Sequence, residues 1–229
     1  MNHKLIGILA GMGPRSTAPF IDLVMDECQS QYGAKQDEEF PEMIIYSLPT
    51  PFYVDRPIDH DLMKKTIVGG LKKLESTGVD FIAMPCNSAH IYFDELQEDI
   101  HIPLLNIVDE TIKKLPETPQ KVTLFSTNST FESEIYQKGI RNGGHEFLFK
   151  AEWQVKINQL IKSIKVNKED PRNLRLWSSL ADEVETESVG NIVTACTDLN
   201  VVLEKIRIPV CFIDSSTCLA EAVVRKYLE

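Results

Sequence analysis

Cys86 and Cys196 close the same short pattern twice in one chain. Val79-Asp80-Phe81-Ile82-Ala83-Met84-Pro85-Cys86 and Val189-Gly190-Asn191-Ile192-Val193-Thr194-Ala195-Cys196 carry Val, Ile and Cys at equal offsets. Each run reads as a buried strand that delivers its thiol to the start of a helical stretch. Asn87-Ser88-Ala89 follows the first thiol and Thr197-Asp198 the second. Unpaired N–H groups at a helix start favour a thiolate. A thiolate can remove a proton from carbon, and a thiol on the other face can return one. Two such groups aimed at one carbon from opposite sides would invert it. That chemistry is racemisation or epimerisation, and it calls for no metal and no flavin. Backbone N–H groups after each cysteine would steady the charge that develops on a neighbouring carboxylate.

The elements that must position these groups alternate. Leu5 to Leu9 is an apolar run ending in Ala10-Gly11-Met12-Gly13-Pro14, a strand followed by a tight turn. Strands are expected again at Met43–Leu48, Phe81–Met84 and Pro103–Ile107. Helices are expected at Leu62–Ser76, from Cys86 through Leu96, and at Asp109–Leu115. The pattern restarts at Lys121–Phe125, a strand leading into a polar loop at Ser126-Thr127-Asn128-Ser129-Thr130. A helix at Phe131–Ile140, a strand at His145–Phe149 and helices at Val155–Lys165 and Asn173–Glu185 follow. Val189–Ala195 and Ile208–Ile213 are the last strands, and Thr217–Tyr227 closes the chain.

Such alternation predicts an α/β fold of two similar domains, each a mostly parallel sheet flanked by helices. The expected first domain is 1–112 plus 215–229, and the second is 113–214. A pseudo-two-fold would relate them, with the active site in the cleft between. Ligands in such sheets bind beyond the carboxyl ends of the strands. Both cysteines, the Gly11 turn and the Thr127 loop fall on that edge.

Composition narrows the partners. A chain of 229 residues with 43% hydrophobic and 25% charged residues is long enough for a core without staples. The formal charge of -10 argues against nucleic acid or an anionic membrane as partner. No apolar stretch is long enough to span a bilayer, so a cytoplasmic protein is expected. Five cysteines point to reduced thiols. Cys28, Cys211 and Cys218 read as small buried hydrophobes.

Three motifs carry a family resemblance. Ala10-Gly11-Met12-Gly13-Pro14, Pro85-Cys86-Asn87-Ser88-Ala89-His90 and Ala195-Cys196-Thr197-Asp198-Leu199 resemble the signatures of the aspartate/glutamate racemase superfamily. The branch they look most like is the cofactor-independent aspartate racemases, whose usual forms are GGMGP, PCNTAH and GCTEL. The resemblance implies racemisation of an acidic amino acid, above all aspartate, by Cys86 and Cys196, without pyridoxal phosphate. It implies a homodimer. It places Asn87, Ser88 and Thr197 on the substrate α-carboxylate and amine. Arg56 and Lys165 match the cations that hold the side-chain carboxylate, and Lys156 is a second candidate. Thr127, Thr130 and Ser133 match the second-domain threonine loop. Met12, Ala89 and Asp198 complete the expected binding set. Ala10 and Ala195 stand where the family has glycine, Ser88 where it has threonine, and Phe52 where it has glutamine.

Blander readings stand beside these. Met12 is equally a packing residue. His90 is a candidate to tune the Cys86 thiolate or to brace a neighbouring helix. Cys86 with His90 is only half a zinc site, so no metal is expected. Asp109 and Asp214 read as helix caps. Arg56 alone reads as a surface-loop cation and Lys165 as part of a solvated face. Rival functions are a racemase of broader range that includes glutamate, a maleate isomerase-like enzyme, and a protein that only binds an acidic amino acid.

Overall fold

An apolar run without a polar break suits a strand covered on both faces, and Ile6–Ala10 (β1) is buried along its whole length. The computed structural model describes residues 4–52, 57–203 and 210–229. After β1 come helix α1 (Thr17–Tyr32), strand β2 (Met43–Ser47), helix α2 (His60–Glu75) and strand β3 (Phe81–Ala83). Helix α3 (Phe93–Glu98), strand β4 (Leu104–Leu105) and helix α4 (Ile107–Ile112) follow. The pattern then repeats through β5 (Lys121–Ser126), α5 (Asn128–Glu132), α6 (Ile135–Asn142) and β6 (Glu146–Phe147). Helices α7 (Ala151–Val166) and α8 (Pro171–Thr186) lead to β7 (Asn191–Ala195). Helix α9 (Asn200–Leu203), strand β8 (Cys211–Asp214) and helix α10 (Ser215–Leu228) end the chain.

The chain divides into two compact units, Met1–Ile107 with Ser216–Glu229, and Val108–Ser215. The first holds a sheet in the order β2-β1-β3-β4 and the second a sheet in the order β6-β5-β7-β8. Every described pairing is parallel. Within each unit the first strand lies between the second and the third, and the fourth pairs with the third. The fold is therefore α/β, with one topology used twice. In such a sheet the direction of winding reverses between the first and third strands, and their carboxyl ends flank a ready crevice. β1 and β3 are that pair in the first unit, β5 and β7 in the second.

Local chemistry fixes the helices that cover these sheets. The Asp59 side chain accepts from Leu62 N at 3.0 Å and caps α2. Asp170 caps α8, and Pro171 occupies its first turn, where a missing N–H costs nothing. Arg172 grips Asp170 and, with backbone N–H donation, lowers its carboxyl pKa to about 2. Ile67, Leu71 and Leu96 join Leu9 and Ile82 in the first core. Trp153 and Trp177 join Phe125 and Ile192 in the second, with Trp177 edge-on to Phe125 at 5.7 Å.

Two local expectations change. The helix expected over Phe131–Ile140 is two helices, because Glu134 takes a left-handed backbone with φ 57. Gln137 Nε2 donates to Phe131 O at 2.6 Å and Ser133 Oγ to Thr130 O at 2.7 Å, which satisfies carbonyls at the break. The helix expected to start near Cys86 begins instead as a 3-10 stretch, Ser88–Tyr92, before α3. A second 3-10 turn, Thr197–Leu199, follows Cys196. Neither thiol therefore sits at the start of a long α-helix.

Candidate active site

Each cysteine leaves the central region of its own sheet at the crevice-forming edge. In the first unit Ile8 of β1 pairs with Ala83 of β3, and Cys86 lies three residues beyond Ala83. Beside it β1 runs out into Gly11-Met12-Gly13. In the second unit Ser126 of β5 pairs with Ala195 of β7, so Thr127 and Cys196 leave neighbouring strands together. The repeat seen in sequence is thus a repeat of position. Each thiol stands at the point where the winding of its sheet reverses.

Gly11 sets the approach to the first thiol. Its φ is +92, and a Cβ there would lie 2.6 Å from Leu48 N and 2.7 Å from Leu48 O. Only glycine accepts both demands at low cost. Thr17 Oγ1 accepts from Gly11 N at 3.3 Å, and Ser16 Oγ donates to Gly13 O at 2.8 Å. Met12 and Cys86, each half-buried, pack against the first core, as does Phe52. Asn87 and Ala89 are buried, and Ser88 is half-buried.

The His90 ring lies against two backbone carbonyls. Its ring is buried, with Nδ1 2.8 Å from Cys86 O and Nε2 3.3 Å from Leu105 O. The shorter contact places the donated proton on Nδ1. The ring also stacks on Phe93 at 5.8 Å. His90 therefore ties the Cys86 peptide to β4. His90→Ala removes that donor from a part-buried carbonyl, and we expect a loss of about 2 kcal/mol, read as a lower denaturant midpoint. Further along the same turn, Tyr92 OH lies 2.7 Å from His60 Nδ1 on α2, and burial pushes the Tyr92 phenol up.

In the second unit Cys196 is buried, and its Sγ lies 4.0 Å from Asp198 Oδ2. The same carboxylate oxygen lies 2.7 Å from Lys165 Nζ, which arrives from the last turn of α7. Thr197 and Asp198 are both buried. Lys156, also on α7, pairs with Glu183 of α8. Of the two candidate lysines, Lys165 is the one beside the thiol. Thr127 caps α5: its Oγ1 accepts from Thr130 N at 3.3 Å and lies 3.0 Å from Ser129 Oγ. Ser133 Oγ is directed to the Thr130 carbonyl.

Asp214, expected as a helix cap, directly precedes α10 and also ties two segments of the second unit. It accepts from Thr194 Oγ1 of β7 at 3.0 Å and from Asn200 Nδ2 at 3.5 Å. It thereby holds the strand before Cys196 to the turn after it. The only sequence sign was that strands downstream of both cysteines end near an aspartate. Asp109, expected as a cap, lies within the first turn of α4. Arg56 lies outside the described residues. Among the described residues no group of three or more His, Cys, Asp or Glu is placed to hold a metal ion. None of the described helices is long and apolar enough to cross a membrane.

Residues 9–223 match the family model for Asp/Glu/Hydantoin racemase. The chain belongs to the Asp/Glu/hydantoin racemase family. As a member of that family it is an isomerase, a racemase. It is 51% identical over 224 residues to the broad specificity amino-acid racemase RacX of Bacillus subtilis (strain 168), covering 98% of both chains. It is similar in structure to the aspartate racemase of Picrophilus torridus, with a TM-score of 0.83 and 29% identity, covering 98% of this chain and 94% of that one. A glutamate racemase from Francisella tularensis subsp. tularensis SCHU S4 shares the fold, with a TM-score of 0.70 at 14% identity, covering 100% of this chain and 82% of that one. The racemase family fold is thus matched along nearly the whole chain.

Proposed function

We propose that this racemase inverts amino acids of a broad range, aspartate included, by a two-base mechanism on Cys86 and Cys196. What carries the reading is the matched position of the two thiols, each at the winding reversal of its own sheet. One sulfur, as thiolate, takes the Cα proton. The electron pair stays on Cα and spreads into the α-carboxylate. The other sulfur, as thiol, delivers its proton to the opposite face. Substrate hand decides which is base, and the two have exchanged protonation states when product leaves. N–H groups and side chains of Asn87, Ser88 and Thr197 bind the α-carboxylate and amine, and Met12, Ala89 and Thr127 border them.

Similarity to a Bacillus subtilis protein named for broad specificity favours a wide substrate range over aspartate alone. The test is a panel of single-enantiomer amino acids, acidic and neutral, incubated without added cofactor and resolved by chiral chromatography. The expected result is the opposite enantiomer of several members approaching equal amounts. A panel in which only aspartate inverts contradicts the broad range, and one in which no amino acid inverts contradicts the reaction.

Arg56 is proposed to grip a substrate side-chain carboxylate. Two parallel charge-assisted bonds would make that grip selective. Arg56→Ala should then raise KM for aspartate about tenfold more than KM for alanine. Equal changes for both would remove Arg56 from the specificity set. A cytoplasmic homodimer belongs to the same reading, the homodimer from the family resemblance and the cytoplasm from the lack of a long apolar stretch in the sequence.

A further inference from the structure

Lys165 already has a carboxylate, and this chain supplies it. The Lys165 ammonium lies 2.7 Å from Asp198 Oδ2, with the lysine side chain 29% and the aspartate 9% exposed. The same oxygen is 4.0 Å from Cys196 Sγ. All three residues belong to one compact unit. We propose that Asp198 is a specificity-determining residue, whose ion pair with Lys165 removes the demand for a second carboxylate on the substrate. The inference rests on the two-thiol reading above, which puts the substrate against Cys196.

The physical argument concerns what each substrate must displace. A largely buried charge needs a partner, and taking one member of such a pair away is costly. An acidic side chain reaching Lys165 would have to displace Asp198 and leave that carboxylate uncompensated beside the thiol. It exchanges one ion pair for another and gains little. A neutral side chain leaves the pair intact and loses nothing. The neighbouring cation on α7 does not take over the task, since Lys156 is paired with Glu183. A lysine that would select acids is thus neutralised where it stands.

The experiment compares aspartate with asparagine, which has nearly the same shape and no side-chain charge. Racemisation kcat/KM is measured for both in the wild type, Asp198→Asn, Lys165→Met and the double variant. Asp198→Asn should expose the lysine charge to substrate and raise the aspartate-to-asparagine ratio about tenfold or more. Lys165→Met alone should move that ratio by less than about threefold. The double variant should lose the gain made by Asp198→Asn.

An unchanged ratio in Asp198→Asn overturns the proposal, whether or not the overall rate falls. So does a tenfold fall of the ratio in Lys165→Met alone, or a wild type that inverts aspartate and leaves asparagine untouched. Should Asp198→Asn fail to fold, Lys165→Met decides alone by the same criterion. Failure of the two-thiol reading is visible separately, as racemisation that survives Cys196→Ser. Failure of the Asp198 proposal appears as a flat ratio in an enzyme whose thiols remain essential.

Discussion

On the two-base proposal, Cys86→Ser and Cys196→Ser should each lower racemisation by about 10²- to 10⁴-fold in both directions, the range expected for loss of a positioned acid or base. Loss in both directions is expected because, in the proposed scheme, every turnover uses both sulfurs, one to take the proton and one to give it. Serine nearly preserves the shape of cysteine but is a far weaker acid, so folding survives while proton transfer fails. The far-ultraviolet circular dichroism of each variant should match the wild type. A residual activity should also divide by hand. The thiolate that remains can still remove a proton from the enantiomer facing it and return a solvent proton to the same face. The two variants should therefore wash out the α-proton of opposite enantiomers without inverting them. A serine variant that interconverts enantiomers at near the wild-type rate contradicts the scheme.

Gly11→Ala carries the second large effect, and it acts through the backbone. The position combines a φ of +92 with a site where a Cβ would lie 2.6 Å from Leu48 N, 2.7 Å from Leu48 O and 2.9 Å from Ser47 Oγ. A left-handed conformation costs an L-residue about 1–2 kcal/mol. Forcing extra atoms into a packed site costs about 1–3 kcal/mol more. The close atoms are mainly backbone of the chain leaving β2, which pairs Leu48 N to Ala10 O at 2.9 Å. They cannot swing aside as a side chain could. We expect a loss on the order of 3 kcal/mol and a melting temperature lower by about 6–12 °C. Activity should fall as well, since the displaced turn lies beside Cys86. A variant with an unchanged melting temperature would show that the turn relaxes without cost.

Much of this was legible in the chain because burial on both faces leaves a plain mark. Ile6–Ala10 is apolar or small throughout and Asn191–Ala195 is mostly so, with Asn191 and Thr194 as its polar members, and both are fully buried strands. The two cysteines were legible because the same strand-to-turn pattern precedes each. The break at Glu134 was not. Phe131 to Ile140 has continuous helical pattern, and the left-handed residue is recognised only once its neighbours' carbonyls find Gln137 and Ser133. The 3-10 turns after the cysteines were also hidden, since they differ from an α-helix by one residue in hydrogen-bond spacing.

Site contacts were least legible where partners are far apart in sequence. Lys156 and Lys165 look alike in a lysine-rich helix. They separate only because Glu183 claims one and Asp198 the other. Likewise nothing in the sequence brings the His90 nitrogens to the carbonyls of Cys86 and Leu105. The sequence shows Asp214 at the end of a strand, yet its bonds to Thr194 and Asn200 require the pairing of β7 with β8.

The central claim is that two sulfurs work on opposite faces of one α-carbon. Incubation of single-enantiomer substrate in heavy water, followed at early turnover by proton NMR with chiral separation, tests it most directly. Two thiols predict product that carries one solvent deuterium at Cα and recovered substrate that remains protiated. Product that keeps its original α-proton, or label that enters substrate and product equally from the first turnover, would contradict it.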